Sequence, residues 1–337
     1  MTRSFGRGRI MLHTTIHTGP LARRASDPRH HRQDREPHAA RRRMIVAAHP
    51  EVRKLVGRNP ATAGWIGVVG AGQCGLAALA GMGPWWLAPA MAYGVGALFA
   101  LMLWVLIHET THDLVLRTTR ANKLLGAVAG LPLGMPAAVP FRRHHLLHHR
   151  HQGDAILDGD IASGWEVQWV GTSTFRKALW LLAMPFMQML RPLRMKGVPI
   201  VDCWFAGGLF AQVAFDALVV ATLGWQALAY LLLSNVFALG LHPLGGRWIQ
   251  EHFLIFPGQE TSSCYGWVNR LTFNAGYHVE HHDMPRVPWN RLPLLRAVAP
   301  EMFDTLPSHR SWTMLLVRFV FDPALGPGSR EVRTRVT

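Results

Sequence analysis

Three short stretches, HETTHD at 108–113, HHLLHH at 144–149 and YHVEHHD at 277–283, gather imidazoles at helical spacing. His108 and His112 stand four residues apart, so on a helix both rings leave one face about a turn from each other. His145, His148 and His149 form an HxxHH pattern, and His278, His281 and His282 repeat it. Positions i, i+3 and i+4 share one helical face, so each box delivers two or three neutral nitrogen ligands to a small volume. Nitrogen ligands of this kind suit iron, zinc, copper or nickel. One cation cannot use eight imidazoles. Two cations sharing the set, with positions left open for oxygen, match the count.

Other readings explain less. His108-Glu109-x-x-His112 alone matches the zinc-protease pattern HExxH, in which the Glu is the general base, but that leaves both HxxHH boxes without a role. A metal-sequestering tract or a pH-sensing patch needs no matched i, i+3, i+4 geometry. One more ligand is expected from the segment before the third box, where His242 and His252 are the candidates. His242 begins HPLGG, one residue longer than the HPGG haem signature, and His252 in QEHF is preferred. His13, His17, His30, His31, His38 and His49 lie in a basic arm and are read as solvated. His144 and His151 flank the second box off its ligand face. Glu109, Asp113, Asp154, Glu280 and Asp283 lie close enough in sequence to orient the rings by accepting their remaining N–H. Asn274, four residues before His278, is placed to hold a water or a ligand and is the candidate catalytic side chain.

The elements that position these boxes are apolar. The chain has 337 residues, of which 49% are hydrophobic and 16% charged, and the apolar residues come in blocks, which favours an all-α integral membrane protein. Four stretches, at 62–82, 85–107, 202–223 and 225–244, are long enough to cross a hydrocarbon layer of about 30 Å. They pair as two hairpins whose joints, at Gly83-Pro84 and Gly224, carry no Lys or Arg. Residues 113–200 contain eleven Lys and Arg, so the positive-inside rule puts both termini and this middle segment in the cytoplasm. The four spans would then support a cytoplasmic helical cap that holds the histidine cluster. Shorter apolar pieces at 124–139 and 178–190, interrupted by Pro132, Pro136 and Pro185, are expected at the interface. Trp85, Trp86, Trp165, Trp169, Trp204 and Trp225 suit headgroup-level anchoring. Asp202 reads as the aqueous edge of the third span, while Asp216 lies inside it and is expected to face protein or a tunnel. The three cysteines, Cys74, Cys203 and Cys264, are far apart and form neither a disulfide framework nor a CxxC metal motif.

Residues 1–60 hold 14 Lys and Arg against 4 Asp and Glu. Without an aromatic-interleaved groove, this basic arm points to anionic lipid rather than nucleic acid. Residues 1–36 lack a long apolar segment of the secretory type and are expected to be a disordered extension. Residues 37–61 follow as an amino-terminal cytoplasmic segment, 62–325 as the membrane domain with its cap, and 326–337 as a basic tail.

These residues resemble the membrane fatty acid desaturase and hydroxylase superfamily with its three histidine boxes. FRRHHLLHHRHQG, STFRKALW, GLHPLGGRWIQEHF and LTFNAGYHVEHHDMPRVPWNRLPLLR are similar to the sphingolipid Δ4-desaturase branch, whose members act on dihydroceramide. PHAARRRMIVAAHPEVRKL is similar to that branch's amino-terminal segment, so the resemblance covers residues 37–337. It implies a non-haem di-iron oxygenase that uses dioxygen as co-substrate. The implied iron ligands are His108, His112, His145, His148, His149, His278, His281 and His282, with His252 as the ninth. Departures are Asp113 where relatives commonly have Asn, His144 where they have an aromatic, and Arg247 where some carry histidine. The implied reaction is a Δ4 trans double bond in the sphingoid base, with 4-hydroxylation or oxidation of other acyl chains as alternatives. The chain has no fused haem domain, no nucleotide-binding GxGxxG and no iron–sulfur cysteines. Electrons must therefore come from a separate carrier, a cytochrome b5-type protein or a ferredoxin, meeting Arg117, Arg120, Lys123, Arg142 and Arg143. A metal transporter or sensor would want polar residues along the spans, and these have few.

Overall fold

The computed structural model describes residues 37–191, 195 and 201–333. The expected extension over 1–36 lies outside these residues. Among them the chain is helical, with isolated β-bridges in place of strands. In chain order the helices are α1 Pro37–Ala48, α2 Ala61–Met82, α3 Leu87–Thr111, α4 Thr119–Gly130, α5 Ala138–His151, α6 Gly164–Val170 and α7 Thr174–Leu190. They continue as α8 Cys203–Leu223, α9 Trp225–Leu239, α10 Gly246–His252, α11 His278–Asp283, α12 Leu292–Val298, α13 Pro300–Phe303 and α14 Trp312–Phe321.

Three of these, α2, α3 and α8, are long and apolar enough to cross a membrane, and up to five crossings result if each of two bent pairs counts as one. The chain is thus a multi-pass membrane protein. The stretch at 225–244 departs from expectation. Its helix stops at Leu239, covering only about 22 Å at 1.5 Å per residue, and resumes as Pro243–His252 after a 45° bend. The reversal is too tight for side chains, since a Cβ on Gly245 would stand 2.0 Å from the Gly240 carbonyl oxygen. The piece expected at 124–139 is also broken. It passes from α4 through a 3-10 turn at Leu131–Leu133 and bends by 117° into α5, with Gly134 left-handed at φ 69°. By contrast α7 runs through Pro185 without interruption.

Both joints of the long helices meet at one end of the bundle. Gln226 Nε2 lies within hydrogen-bond distance of the Ala80, Gly83 and Pro84 carbonyls. The boxes occupy the other end of α3, whose length of 25 residues corresponds to about 37 Å. Polar contacts hold α9 between α2 and α3. Tyr230 donates to Gln73 at 3.1 Å, and Trp104 Nε1 to Asn235 Oδ1 at 2.7 Å. Where α3 and α9 touch, a Cβ on Gly96 would meet Ser234 Oγ at 2.1 Å, the small-residue approach that packs helices without a hydrophobic drive. A π turn at Ala92–Gly96 frees the Tyr93 carbonyl, which faces His242 Nε2 at 3.0 Å. Asp216 accepts from Gln212 Nε2 at 2.9 Å within α8, and Asp202 caps that helix by accepting from Phe205 N while pairing with Arg143.

At the histidine end the remaining elements pack in two apolar clusters. Ile45 and Val52 from the amino-terminal segment pack with Val279, Val287, Leu295 and Phe303. Trp180, Leu181, Ile249, Phe253, Leu315 and Phe319 join α7, α10 and α14. Residues 326–333 return to the second box: Arg330 donates to the Asp160 carbonyl at 2.9 Å and Arg333 to the Gln152 carbonyl at 3.0 Å.

Lys177 on α7 is fully buried. Its ammonium donates to the carbonyls of Phe319, Asp322 and Leu325 at 2.8, 2.8 and 3.1 Å, closing the carboxyl end of α14 as a positive charge should. Replacing it by Met removes a donor shared by three carbonyls, of which that of Asp322 keeps the Leu325 amide. The Lys177→Met chain is expected to lose about 2–4 kcal/mol, read as a lower unfolding midpoint in detergent; an unchanged midpoint would show that the ammonium is dispensable.

Candidate metal centre

Four helices aim the histidines at one place. The last turn of α3 carries His108, and His112 caps it. The following Asp113 has φ 59°, a left-handed position that Asp and Asn tolerate better than most residues, so α3 ends just after its second ligand. The helix α5 carries the second box, α10 ends on His252 and α11 is made of the third.

The rings form two nests. His108, His112, His145, His149 and His281 bring one nitrogen each to within 4.8 Å of one another, and His148, His252 and His282 do the same beside them. In the first nest the Nε2 atoms of His112 and His145, His145 and His149, and His149 and His281 are 3.1, 3.0 and 3.1 Å apart. In the second, His252 Nε2 lies 2.9 Å from His148 Nε2 and 3.1 Å from His278 Nε2. Nitrogens held at right angles about 2.1 Å from one cation would be about 3.0 Å apart. The buried Nε2 of His282 has no hydrogen-bond partner. Burial, with the neighbouring imidazoles adding to it, pushes His278, His281 and His282 well below the ordinary histidine range. Neutral rings with inward lone pairs fit a pair of cations of the iron or zinc type. His242 lies outside both nests, with Nδ1 accepting from Leu244 N and Nε2 facing Tyr93.

The groups behind the rings differ from those expected by proximity. Asp158, fully buried, accepts from His148 Nδ1 at 2.9 Å and from Gly153 N at 2.8 Å. Burial alone would raise its carboxyl, yet His148 and Arg330 outweigh that and hold it below the usual range. Asp154 instead turns Oδ1 to the amides of Ile156 and Leu157. Glu109 accepts from Trp289 N, and Asp113 from Arg142 and Thr119. Glu280, pushed up to about 7 by burial, accepts from Ser263 Oγ and Tyr265 OH at 2.7 and 2.5 Å. Asp283 does reach a histidine, but it is His38, at 2.7 Å. His38 was expected to be solvated and is 4% exposed, because α1 folds back onto the cap. His49 stays at the surface, where it pairs with Glu301 at 2.5 Å. No local signal marks Asp158, in an irregular loop after the second box, or His38, whose partners lie more than 200 residues away.

A cavity of about 270 Å³ opens beside both nests. His108, His145, His148, His252, His278 and His281 form one wall, and Trp104, Met135, Phe141, Met184, Phe205, Trp248 and Phe273 form much of the rest. Arg247 and Glu251, which pair with each other on α10, add a polar patch. Asn274 also lines the cavity, with φ 58°, and its Nδ2 donates to the Trp289 carbonyl at 3.0 Å. Of the basic residues expected to meet a partner, Arg142 donates to the Thr110 carbonyl and Asp113, Arg143 pairs with Asp202, and Lys123 lies over the Trp204 ring. Arg117 and Arg120 are exposed.

His145 has nitrogen neighbours on both sides within the first nest. His145→Ala is expected to halve the bound metal per chain, measured by elemental analysis. Asp158→Asn should weaken retention in the second nest about 10- to 100-fold; full retention in both variants would count against two separate metal positions.

Comparison with known proteins agrees with this geometry. The family model for fatty acid desaturases matches residues 83–314, and that for sphingolipid Delta4-desaturases matches residues 31–61. The chain is 40% identical over 301 residues to the sphingolipid delta(4)-desaturase DES1 of Drosophila melanogaster, covering 88% of this chain and 93% of the relative. It is 40% identical over 298 residues to a DES1-like relative from Oryza sativa subsp. japonica, covering 88% and 90%. It is 38% identical over 302 residues to the sphingolipid delta(4)-desaturase/C4-monooxygenase DES2 of Rattus norvegicus, covering 88% and 92%. With its histidine nests beside an apolar cavity, the chain belongs to the fatty acid desaturase family of oxidoreductases, in the sphingolipid Δ4-desaturase branch.

Proposed function

We propose that this chain introduces the Δ4 trans double bond into the sphingoid base of dihydroceramide, giving ceramide. The observation that carries the reading is the convergence of nine imidazoles in two adjoining nests, six of them lining an apolar cavity, in a chain whose relatives are named for this reaction. His108, His112, His145, His149 and His281 would hold one iron, and His148, His252, His278 and His282 the other. When bound, the pair supplies an oxidant, derived from dioxygen, strong enough to take hydrogen from an unactivated methylene. In the balanced reaction dihydroceramide loses two hydrogens, and dioxygen, with two electrons and two protons, leaves as two waters.

The protein supplies placement and dryness. Trp104, Phe141, Trp248 and Phe273 line the cavity, exclude water and hold the alkyl chain against the histidine wall. Carbon 4 is bonded to the hydroxyl-bearing carbon 3 and lies two bonds from the amide-bearing carbon 2. The polar end of the substrate must therefore enter the cavity beside the nests. Arg247 and Glu251 suit that end: the carboxylate accepts from hydroxyl or amide, and the guanidinium donates to the amide oxygen. Asn274, which lines the cavity and is tied to Trp289, leaves its carboxamide oxygen for a water or the substrate. Release of the second hydrogen gives the alkene, whereas hydroxyl transfer to carbon 4 gives the 4-hydroxylated base. The second outcome is the alternative because the rat relative's name includes C4-monooxygenase.

In this reading α2 with α3 and α8 with α9 are two hairpins that give four spans. The contact between their joints through Gln226 supports one shared outer end. The lack of Lys and Arg at those joints supports a cytoplasmic metal cap and cytoplasmic termini. An acidic carrier, a cytochrome b5-type protein or a ferredoxin, would supply electrons at the exposed Arg117 and Arg120.

Purified protein given iron, dioxygen, a reducing system and dihydroceramide is expected to yield ceramide by mass spectrometry. Altered unsaturation confined to other acyl chains would overturn the assignment, and a dominant 4-hydroxylated product would select the alternative. Glu251→Leu should lower kcat/KM for dihydroceramide about 10- to 100-fold with metal content unchanged. The loss should largely disappear when the substrate lacks the hydroxyl that Glu251 meets.

A further inference from the structure

The amino-terminal helix reaches the metal centre through one side chain. His38 is nine-tenths buried and touches three groups of the cap. Its Nδ1 lies 2.7 Å from Asp283 Oδ1 and its Nε2 lies 2.9 Å from Thr261 Oγ1. Its ring centroid is 4.9 Å from that of His282. Thr261 Oγ1 is in turn 3.3 Å from His252 Nδ1 and receives a hydrogen bond from Gln152 Nε2 at 3.1 Å. Arg41, one turn along α1, donates to the other Asp283 oxygen at 2.9 Å.

Hydrogen-bond direction along this chain follows from its anionic end. The Asp283 carboxylate only accepts, so His38 Nδ1 donates to it, and with a neutral His38 ring Nε2 accepts from the Thr261 hydroxyl. The threonine oxygen is then free to accept from His252 Nδ1–H. That places the lone pair of His252 on Nε2, the atom that meets His148 and His278. Reversing any bond would put a hydrogen on His252 Nε2 and remove it as a ligand. We propose that His38 is a positioning residue of the second nest, fixing the tautomer and orientation of His252 through Thr261, so that the amino-terminal helix is part of the metal centre. The segment matched at 31–61 by the sphingolipid desaturase model would thereby have a chemical task. The inference rests on reading the nests as metal sites.

The test is iron release. Wild-type protein, His38→Ala, His38→Gln and Thr261→Val are purified in detergent and loaded with ferrous iron. Iron per chain and its loss to excess chelator are followed, together with the unfolding midpoint of loaded and metal-free protein. Ile45→Ala is the packing control, since Ile45 is buried on the same helix and belongs to the apolar cluster. In His38→Ala and Thr261→Val, one of two irons is expected to leave about 10- to 100-fold faster. The metal-free midpoint of Thr261→Val should stay near wild type, and His38→Gln should recover part of the retention. Ile45→Ala should lower both midpoints and leave release kinetics unchanged. Wild-type release from both His38→Ala and Thr261→Val overturns the proposal, as does equal acceleration in Ile45→Ala. Should His38→Ala not fold, Thr261→Val and His38→Gln decide by the same criteria. A wild-type chain that binds no iron would instead sink the metal reading, and the two failures are told apart by that control.

Discussion

Neutral nitrogen lone pairs buried against one another are the constraint from which the rest of this structure follows. A buried polar atom without a partner is destabilising by a few kcal/mol; here several ring nitrogens face one another at about 3 Å, and the buried Nε2 of His282 has no partner at all. Cations in the two nests would turn that liability into a source of stability, which couples metal binding to the folding of the cap. The same demand fixes the ring tautomers. Asp158 behind His148 and Thr261 behind His252 hold the Nδ1 side so that Nε2 faces inward.

Rings held to such tolerances need a stiff support, and the membrane body gives one. The helix α3 enters the site directly, carrying His108 one turn from its end, and α9 braces it through Trp104–Asn235 and the close Gly96–Ser234 approach. The cap is secured with buried charge as well as apolar contact. Glu166 caps α6, accepts from Trp180 Nε1 and pairs with Arg191 at 2.5 Å. Paired and fully hydrogen-bonded, such ions define one arrangement of neighbouring elements more than they add net stability.

The cavity joins two demands that usually conflict. An oxidant able to attack a methylene calls for apolar, water-free walls, while a sphingoid base oxidised at carbon 4 brings its hydroxyl and amide to the same spot. Under the proposed function, Arg247 and Glu251, paired along the seven-residue α10 that ends on His252, would meet both demands with one short helix.

From the sequence alone, the three boxes, the all-helical class and the apolar segments were legible because helical periodicity is local: i, i+3 and i+4 share a face wherever the helix goes. His252 was only one of two candidates at the chain return, and the structure sets its ring, not that of His242, in the second nest. The spans at 62–82 and 202–223 agree with α2 and α8 to within a residue at either end. Tertiary structure alone decided the break after Leu239, which depends on Gly240 and Gly245 meeting across a tight reversal. It alone chose Asp158 over Asp154, since an irregular loop has no period from which to read direction. It also turned His38 from a residue of a basic arm into a buried neighbour of His282, because which distant segment covers a nest is set by packing, and no spacing in the chain encodes it.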